Sequence, residues 1–437
     1  MKSQTRSTKT AAKKTTAKKK SLKTYTFRNS QKLFQRALKV IPCGIYGHFS
    51  PAPLIPATSY PFYAERAKGS RFWDVDGNEF IDYMCAYGPM VLGYNHPAVD
   101  QAALKQLKRG NCLTAPTKEM VELAEQLVDM NTAADWAFFA KNGGDVVNQS
   151  IMLARAATGR TRMILVKGGY HGVSSWMQGP GHYGVVEQDC ASNVYVDWNN
   201  IQQVENAVSQ HRGEIAAFLA SPYHHPTFGD SELPADGYWQ KIRQICDREG
   251  IVLIIDDVRC GFRIDMRGSH EYFGFKPDLA CYCKAIGNGY PISALVGREE
   301  LKTYAAKVFY TGSYWLSAVP MAAAMACMKE LKKINAPKVM IKQGKKLWDG
   351  IAKMAEGYGY HMKVSGIESM PTLRITNDPS MMLHQDWCAE ATRRGAFFTS
   401  HHNWFISAAH TDADIKKTLD IADEAFKAVK KKYGDEY

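Results

Sequence analysis

The sequence predicts an α/β protein, with a large domain whose mostly parallel sheet lies between helices, and a smaller second domain. Three observations predict it. Short apolar runs alternate with stretches of helical period between residues 137 and 255. Several of those runs are apolar at every position, as strands covered on both faces are. Beyond Met321 the pattern turns helical, with a few late strands. The 437 residues suffice for one large domain and one smaller one.

In chain order, residues 1–28 read as a basic, disordered tail. Residues 1–23 are mostly Lys, Thr, Ala and Ser, which cannot build a core. Thirteen Lys and Arg precede the first acid, Glu65, so the net charge of +12 belongs to this end and the body is close to neutral. A polyanion-binding arm or a targeting peptide is one reading. A solvated extension is the plainer one and is preferred, since residues 1–23 hold one Arg and no clear apolar face. Ser30–Leu38 reads as an amphipathic helix with Leu33, Ala37 and Leu38 on one side, stopped by Pro42 and Gly44. Phe72–Asp82 reads as a hairpin turning at Asp76-Gly77. Ala137–Ala140 reads as a strand, Val146–Ala157 as a helix, and Met163–Val166 and Ala216–Ala220 as strands. Trp239–Arg248 reads as a helix and Ile251–Ile255 as a buried strand.

No apolar stretch is long enough to span a bilayer; the longest, Leu316–Met328, is broken by Pro320. The start lacks the apolar core of a secretory signal. Ten cysteines show no CxxC pair, and no His/Cys cluster has metal spacing, so no metal is expected. A reducing, cytoplasmic compartment is expected.

The chemistry gathers at strand ends. Asp256 ends the apolar run Ile251–Ile255, where a carboxylate is costly to bury unless paired. Lys284 follows 28 positions later in Cys283-Lys284-Ala285-Ile286-Gly287-Asn288-Gly289. Such an acid can pair with a protonated pyridine nitrogen, and such a lysine can form a Schiff base, which together suit pyridoxal phosphate. A lone lysine in a glycine turn is more often a surface residue. Its place after an apolar, β-like segment argues against that here. Asn142-Gly143-Gly144-Asp145 opens a helix after a strand, as a phosphate cradle does. Gly-Gly turns are common, so that signal is weak alone. Tyr170-His171-Gly172 follows another strand, where an aromatic can stack on a flat ring or simply pack in the interior.

In this order the pieces resemble the class III (fold type I) pyridoxal-phosphate aminotransferases, with most likeness to the glutamate-1-semialdehyde aminomutase-like branch. The resemblance runs from about Ser30 to Phe426. It is carried by Asp74-Val75-Asp76-Gly77-Asn78-Glu79, Gly93-Tyr94-Asn95-His96-Pro97, Thr158-Gly159-Arg160 with Gly169-Tyr170-His171-Gly172, Asp256 through Arg263, and Lys284 through Gly289. It implies a large cofactor-binding domain at 81–315 and a smaller α+β domain made from 29–80 and 316–437. It implies that Asp256 holds the pyridine nitrogen, Val258 packs on the ring, and Tyr170 and His171 lie against the cofactor. Asn142, Gly143 and Gly144 would bind its phosphate, with Ser313 reaching the phosphate of a neighbouring subunit, and hence a homodimer with shared active sites.

Departures stand beside these matches. Ser221-Pro222 replaces the family's Glu-Pro and leads into Tyr223-His224-His225-Pro226, and no carboxylate-binding arginine is evident near Ser400-His401-His402-Asn403-Trp404. Tyr46, His48, His224 and His402 are candidate substrate residues, for a small anionic amine or amino acid. His225 and His401 join the same histidine set, though each histidine alone is more often a satisfied surface or core residue. Aminotransfer is the expected outcome. An ammonia-lyase, a 2,1-aminomutase and a racemase share its early steps, and a nucleic-acid-binding protein using the tail is the remote alternative.

Overall fold

The computed structural model describes residues 22–47, 59–226 and 229–434. Its strands are β1 (Ala64–Lys68), β2 (Arg71–Asp74), β3 (Glu79–Asp82), β4 (Trp136–Ala140), β5 (Arg162–Val166), β6 (Asn193–Val196) and β7 (Ile215–Ala220). They continue with β8 (Val252–Asp256), β9 (Leu279–Tyr282), β10 (Ser293–Gly297), β11 (Met362–Ile367), β12 (Met370–Ile375) and β13 (Ala396–Phe397). Seven form one sheet in the order β4-β10-β9-β8-β7-β5-β6. Only β10 runs against its neighbours β4 and β9. The fully buried strands β7 and β8 sit in the middle, as their unbroken apolar runs require.

The alternation therefore gives the doubly covered, mostly parallel sheet that the sequence predicts. Val204, Trp239 and Ile242 pack on one side of it, and Val147, Ile151 and Ala154 of the helix Gly143–Thr158 on the other. Arg160, just past that helix, donates to the carbonyls of Ile215, Glu249 and Gly250 and so ties β5, β7 and the end of the helix Tyr238–Glu249 together.

A second sheet, β1-β2-β3-β13, joins the two ends of the chain, with β13 parallel to β3. The expected hairpin forms at Asp76-Gly77. Asp74 Oδ1 accepts the N–H groups of Asp76 and Asn78 at 3.0 and 2.8 Å, and Gly77 has φ +79°. β11 and β12 form a separate hairpin.

Two expectations change. The tail does not extend to residue 28: Tyr25 N–H donates to Arg393 O at 2.7 Å, and Phe27 is buried against Phe80. An aromatic every second residue gives this segment something to bury. The earlier part of the tail, 1–21, lies outside the described residues. The first helix spans Arg28–Ala37, so Leu38 falls beyond it and is exposed. Among the described residues no helix is long and apolar enough to cross a membrane.

Ile254 is fully buried in β8. Ile254→Ala is expected to lower unfolding free energy by about 2–5 kcal/mol, read from the denaturant midpoint.

Candidate active site

The carboxyl ends of β4, β5, β8 and β9 open onto one cavity of about 560 Å³. Open parallel sheets bind ligands there because loops diverge and helix N-termini point in. Asn142, Gly143, Gly144, Tyr170, His171, Asp256, Val258 and Lys284 all line it. A larger cavity of about 690 Å³ lies among the helices Pro97–Leu107, Lys118–Met130 and Ala318–Ile334. Its wall mixes Lys105, Arg109, Glu122, Glu125 and Lys329 and includes no strand residue and none of the predicted site residues, so it is not the candidate site.

Asp256 is buried, and its Oδ2 meets His171 Nδ1 at 2.7 Å. Its Oδ1 accepts the Val258 N–H at 3.2 Å. Neighbouring Asp257 turns the other way and accepts from Ser269 N and Oγ at 2.9 and 2.6 Å, which caps the short helix Ser269–Phe273. Burial pushes the Asp257 carboxyl up to about 7.

Lys284 leaves β9 with a left-handed backbone, φ +40°, a conformation that costs a non-glycine residue on the order of 1–3 kcal/mol. Asn288 holds the turn by accepting from Leu92 N at 2.8 Å and donating to Gly93 O at 2.9 Å. Gly88 has φ +109°, which favours glycine, and a Cβ there would crowd Lys284 Cδ at 3.2 Å. Burial first, then the Arg259 charge, draw the Lys284 amine down to about 8.

The cradle is equally tight. A Cβ at Gly143 would come 2.8 Å from a Val258 methyl, and one at Gly172 would come 2.8 Å from Gly144 Cα. Asp145, in the helix's first turn, accepts from Asn142 N at 2.8 Å and Lys141 N at 3.2 Å. The Lys141 ammonium is buried without a hydrogen-bond partner, and burial lowers it to about 8.

Other candidates fall elsewhere. Tyr46 is 77% exposed and off the cavity wall. His48 lies outside the described residues. His224 lines a small void behind the wall with Trp198 and Tyr223, not the cavity. His402 packs edge-on against Tyr87 and bonds Asn403 O, also off the wall. Ser313 is exposed and is no part of the wall within this one chain. The wall does include His225, one of the histidine set, and also Tyr87, Lys141, Arg259 and Tyr310, none of which was among the site residues predicted from sequence.

The residues present fit pyridoxal phosphate. The helix N-terminus and the paired glycines leave room for a phosphate, beside an ammonium that has no partner. Val258 offers a flat apolar face next to them. A buried carboxylate and a perturbed amine complete the set.

The comparisons agree. The family described as aminotransferase class-III matches residues 55–426, so the chain belongs to the class III aminotransferases, which are pyridoxal-phosphate-dependent enzymes. It is 40% identical to an aminopentol aminotransferase of Sphingopyxis macrogoltabida, over 91% of this chain and 93% of that one. It is 29% identical to a glutamate-1-semialdehyde 2,1-aminomutase of Desulforamulus reducens, over 93% and 99%. The solved FumI protein of Sphingopyxis sp. MTA144, in its PLP internal aldimine form, superposes with a TM-score of 0.91 at 39% identity, covering 93% of this chain and 97% of that one.

Gly172→Ala is expected to separate the β5 loop from the helix N-terminus and weaken retention of pyridoxal phosphate at least about tenfold, measured by equilibrium dialysis.

Proposed function

We propose that the protein transfers the amino group of a small, anionic amine or amino acid, with Lys284 as the lysine that forms the Schiff base. The observation that supports this most is the Lys284 setting. It is an amine drawn down to about 8, on the wall of the cavity that also holds the Asp256–His171 pair.

Pyridoxal phosphate, when bound, supplies an aldehyde for the amine and a ring that draws electrons from the amine-bearing carbon. The rest is the work of side chains. Asp256 would keep a ring nitrogen protonated, and its bond to His171 holds the carboxylate in place to do so. The N–H groups of Gly143 and Gly144 and the helix dipole receive the phosphate. Val258 and Tyr170, both on the cavity wall, would hold the ring between them. Lys284 would be the base that takes the proton from the amine-bearing carbon and delivers it to the carbon on the other side of the nitrogen.

The proposal includes a homodimer in which Ser313 reaches the neighbouring phosphate. Phe309 and Tyr314, exposed on either side of wall residue Tyr310, support a covered surface there. It also divides the chain as 81–315 for the cofactor domain, with 29–80 and 316–437 as the smaller domain; the shared sheet of β3 and β13 supports joining the ends. Two other outcomes have support of their own. An amine shift within one substrate is favoured by the match to a 2,1-aminomutase, and an amino-alcohol donor by the name of the 40%-identical relative.

Lys284→Ala is expected to abolish turnover and leave the cofactor only reversibly bound; normal turnover by that variant sinks the assignment. The visible spectrum of the holoenzyme with amines and no keto acid separates the outcomes. A stable pyridoxamine form means transfer, and sustained ammonia release means elimination.

The pH dependence follows from the direction of the shift. The attacking form of Lys284 is the neutral amine, and its fraction grows as pH rises through about 8. Capture of pyridoxal phosphate by the apoprotein should accelerate from about pH 7 to about pH 9 and then level off. A rate that is flat over that window contradicts it.

A further inference from the structure

Arg259 stands two positions beyond Asp257 and lines the active-site cavity. Its Nη1 donates to Asn403 Oδ1 at 3.0 Å and, more loosely, to His225 O at 3.5 Å. No ion pair to a described carboxylate is made within 4 Å, and no other described group takes its remaining N–H groups. A guanidinium has five donors in a rigid fork. Removing such a cation from water without a counter-charge is costly, and proteins satisfy it with an anion or with carbonyls.

Arg263 shows the second solution in the same structure. It is fully buried, yet Ile406 O at 3.2 Å and Gly88 O take its donors, the Phe405 ring faces it at 4.9 Å, and it has no place on the cavity wall. Both terminal nitrogens of Arg263 are thus taken by the fold, though its Nε finds no partner, whereas Arg259 is half-buried on the cavity wall with only Nη1 engaged. Arg259 and Lys284 line the same cavity, and after burial the Arg259 charge contributes most to drawing the Lys284 amine down.

We propose that Arg259 is an anion-binding residue of this site, its fork taking an anionic oxygen beside the Lys284 nitrogen, either the carboxylate of a substrate or the phenolate of the cofactor. The inference rests on the reading of Lys284 as the reactive amine. It supplies the arginine that the C-terminal segment lacks. Asn403, in the stretch where the sequence shows no arginine, contributes by holding Nη1 and so aiming the rest of the fork. A carboxylate accepting two parallel N–H bonds would explain a preference for amines with an acid group.

The test uses the holoenzyme and three variants, Arg259→Gln, Arg259→Lys and Asn403→Asp. Binding of β-alanine and of isopropylamine is followed through the visible band, and cofactor affinity by dialysis. On the substrate arm, Arg259→Gln weakens β-alanine at least about tenfold while isopropylamine and the cofactor hold within about twofold. On the cofactor arm, pyridoxal phosphate itself is lost at least about tenfold more readily, and both amines shift alike. Arg259→Lys keeps the charge without the fork and falls between. Asn403→Asp puts a carboxylate where Nη1 now meets an amide, and should reproduce Arg259→Gln even if that variant folds poorly. Unchanged affinities in both Arg259→Gln and Asn403→Asp overturn the inference. An inactive Lys284→Ala enzyme beside an unchanged Arg259→Gln enzyme overturns this inference alone; an active Lys284→Ala enzyme overturns the reading beneath it.

Discussion

A carboxylate at the end of a strand buried on both faces has to be paired, and the arrangement of the site follows from how Asp256 is paired. One oxygen goes to His171 and the other to the Val258 N–H. His171 can come so near only because Gly169 lacks a Cβ, which would lie 2.9 Å from Nε2. Val258, turned by its own N–H bond, presses its methyl groups on Gly143 at the start of the next helix. Thus the loops after β4, β5 and β8 are fixed against one another through two oxygens. Loosening any one of them moves the other two.

Much of the fold was legible because its central strands cannot alternate. β7 and β8 are covered on both faces and read as unbroken apolar runs. β6 and β10 escaped. β6 is a four-residue edge, and β10 (Ser293–Gly297) is made partly of small residues, with little β-signal. The reversed direction of β10 has a plain cause: residues 283–292 are too few for a crossover helix, so the chain can only turn back.

The site was legible where a residue ends a strand. Asp256, Lys284 and the Asn142-Gly143-Gly144 turn all do, and all line the cavity. Arg259 and Lys141 carried no such signal, because one charge beside a motif looks like any solvated charge. The two histidines after β7 show the finest limit. His225 reaches the cavity and His224 only the void behind it, as successive side chains of extended backbone point opposite ways. Proximity along the chain named the loop and both histidines, and could not sort one from the other.

The wall of the cavity draws on residues from Ala86 to Tyr310, so its parts meet only after long loops have closed. Contacts of such separation are slow to form, since closure entropy is lost before they reward it. A ligand that touches several of these loops binds the finished fold and not the open chain. For a pyridoxal-phosphate enzyme of this family, the cofactor then doubles as a thermodynamic clamp, adding stability in proportion to the logarithm of its own concentration.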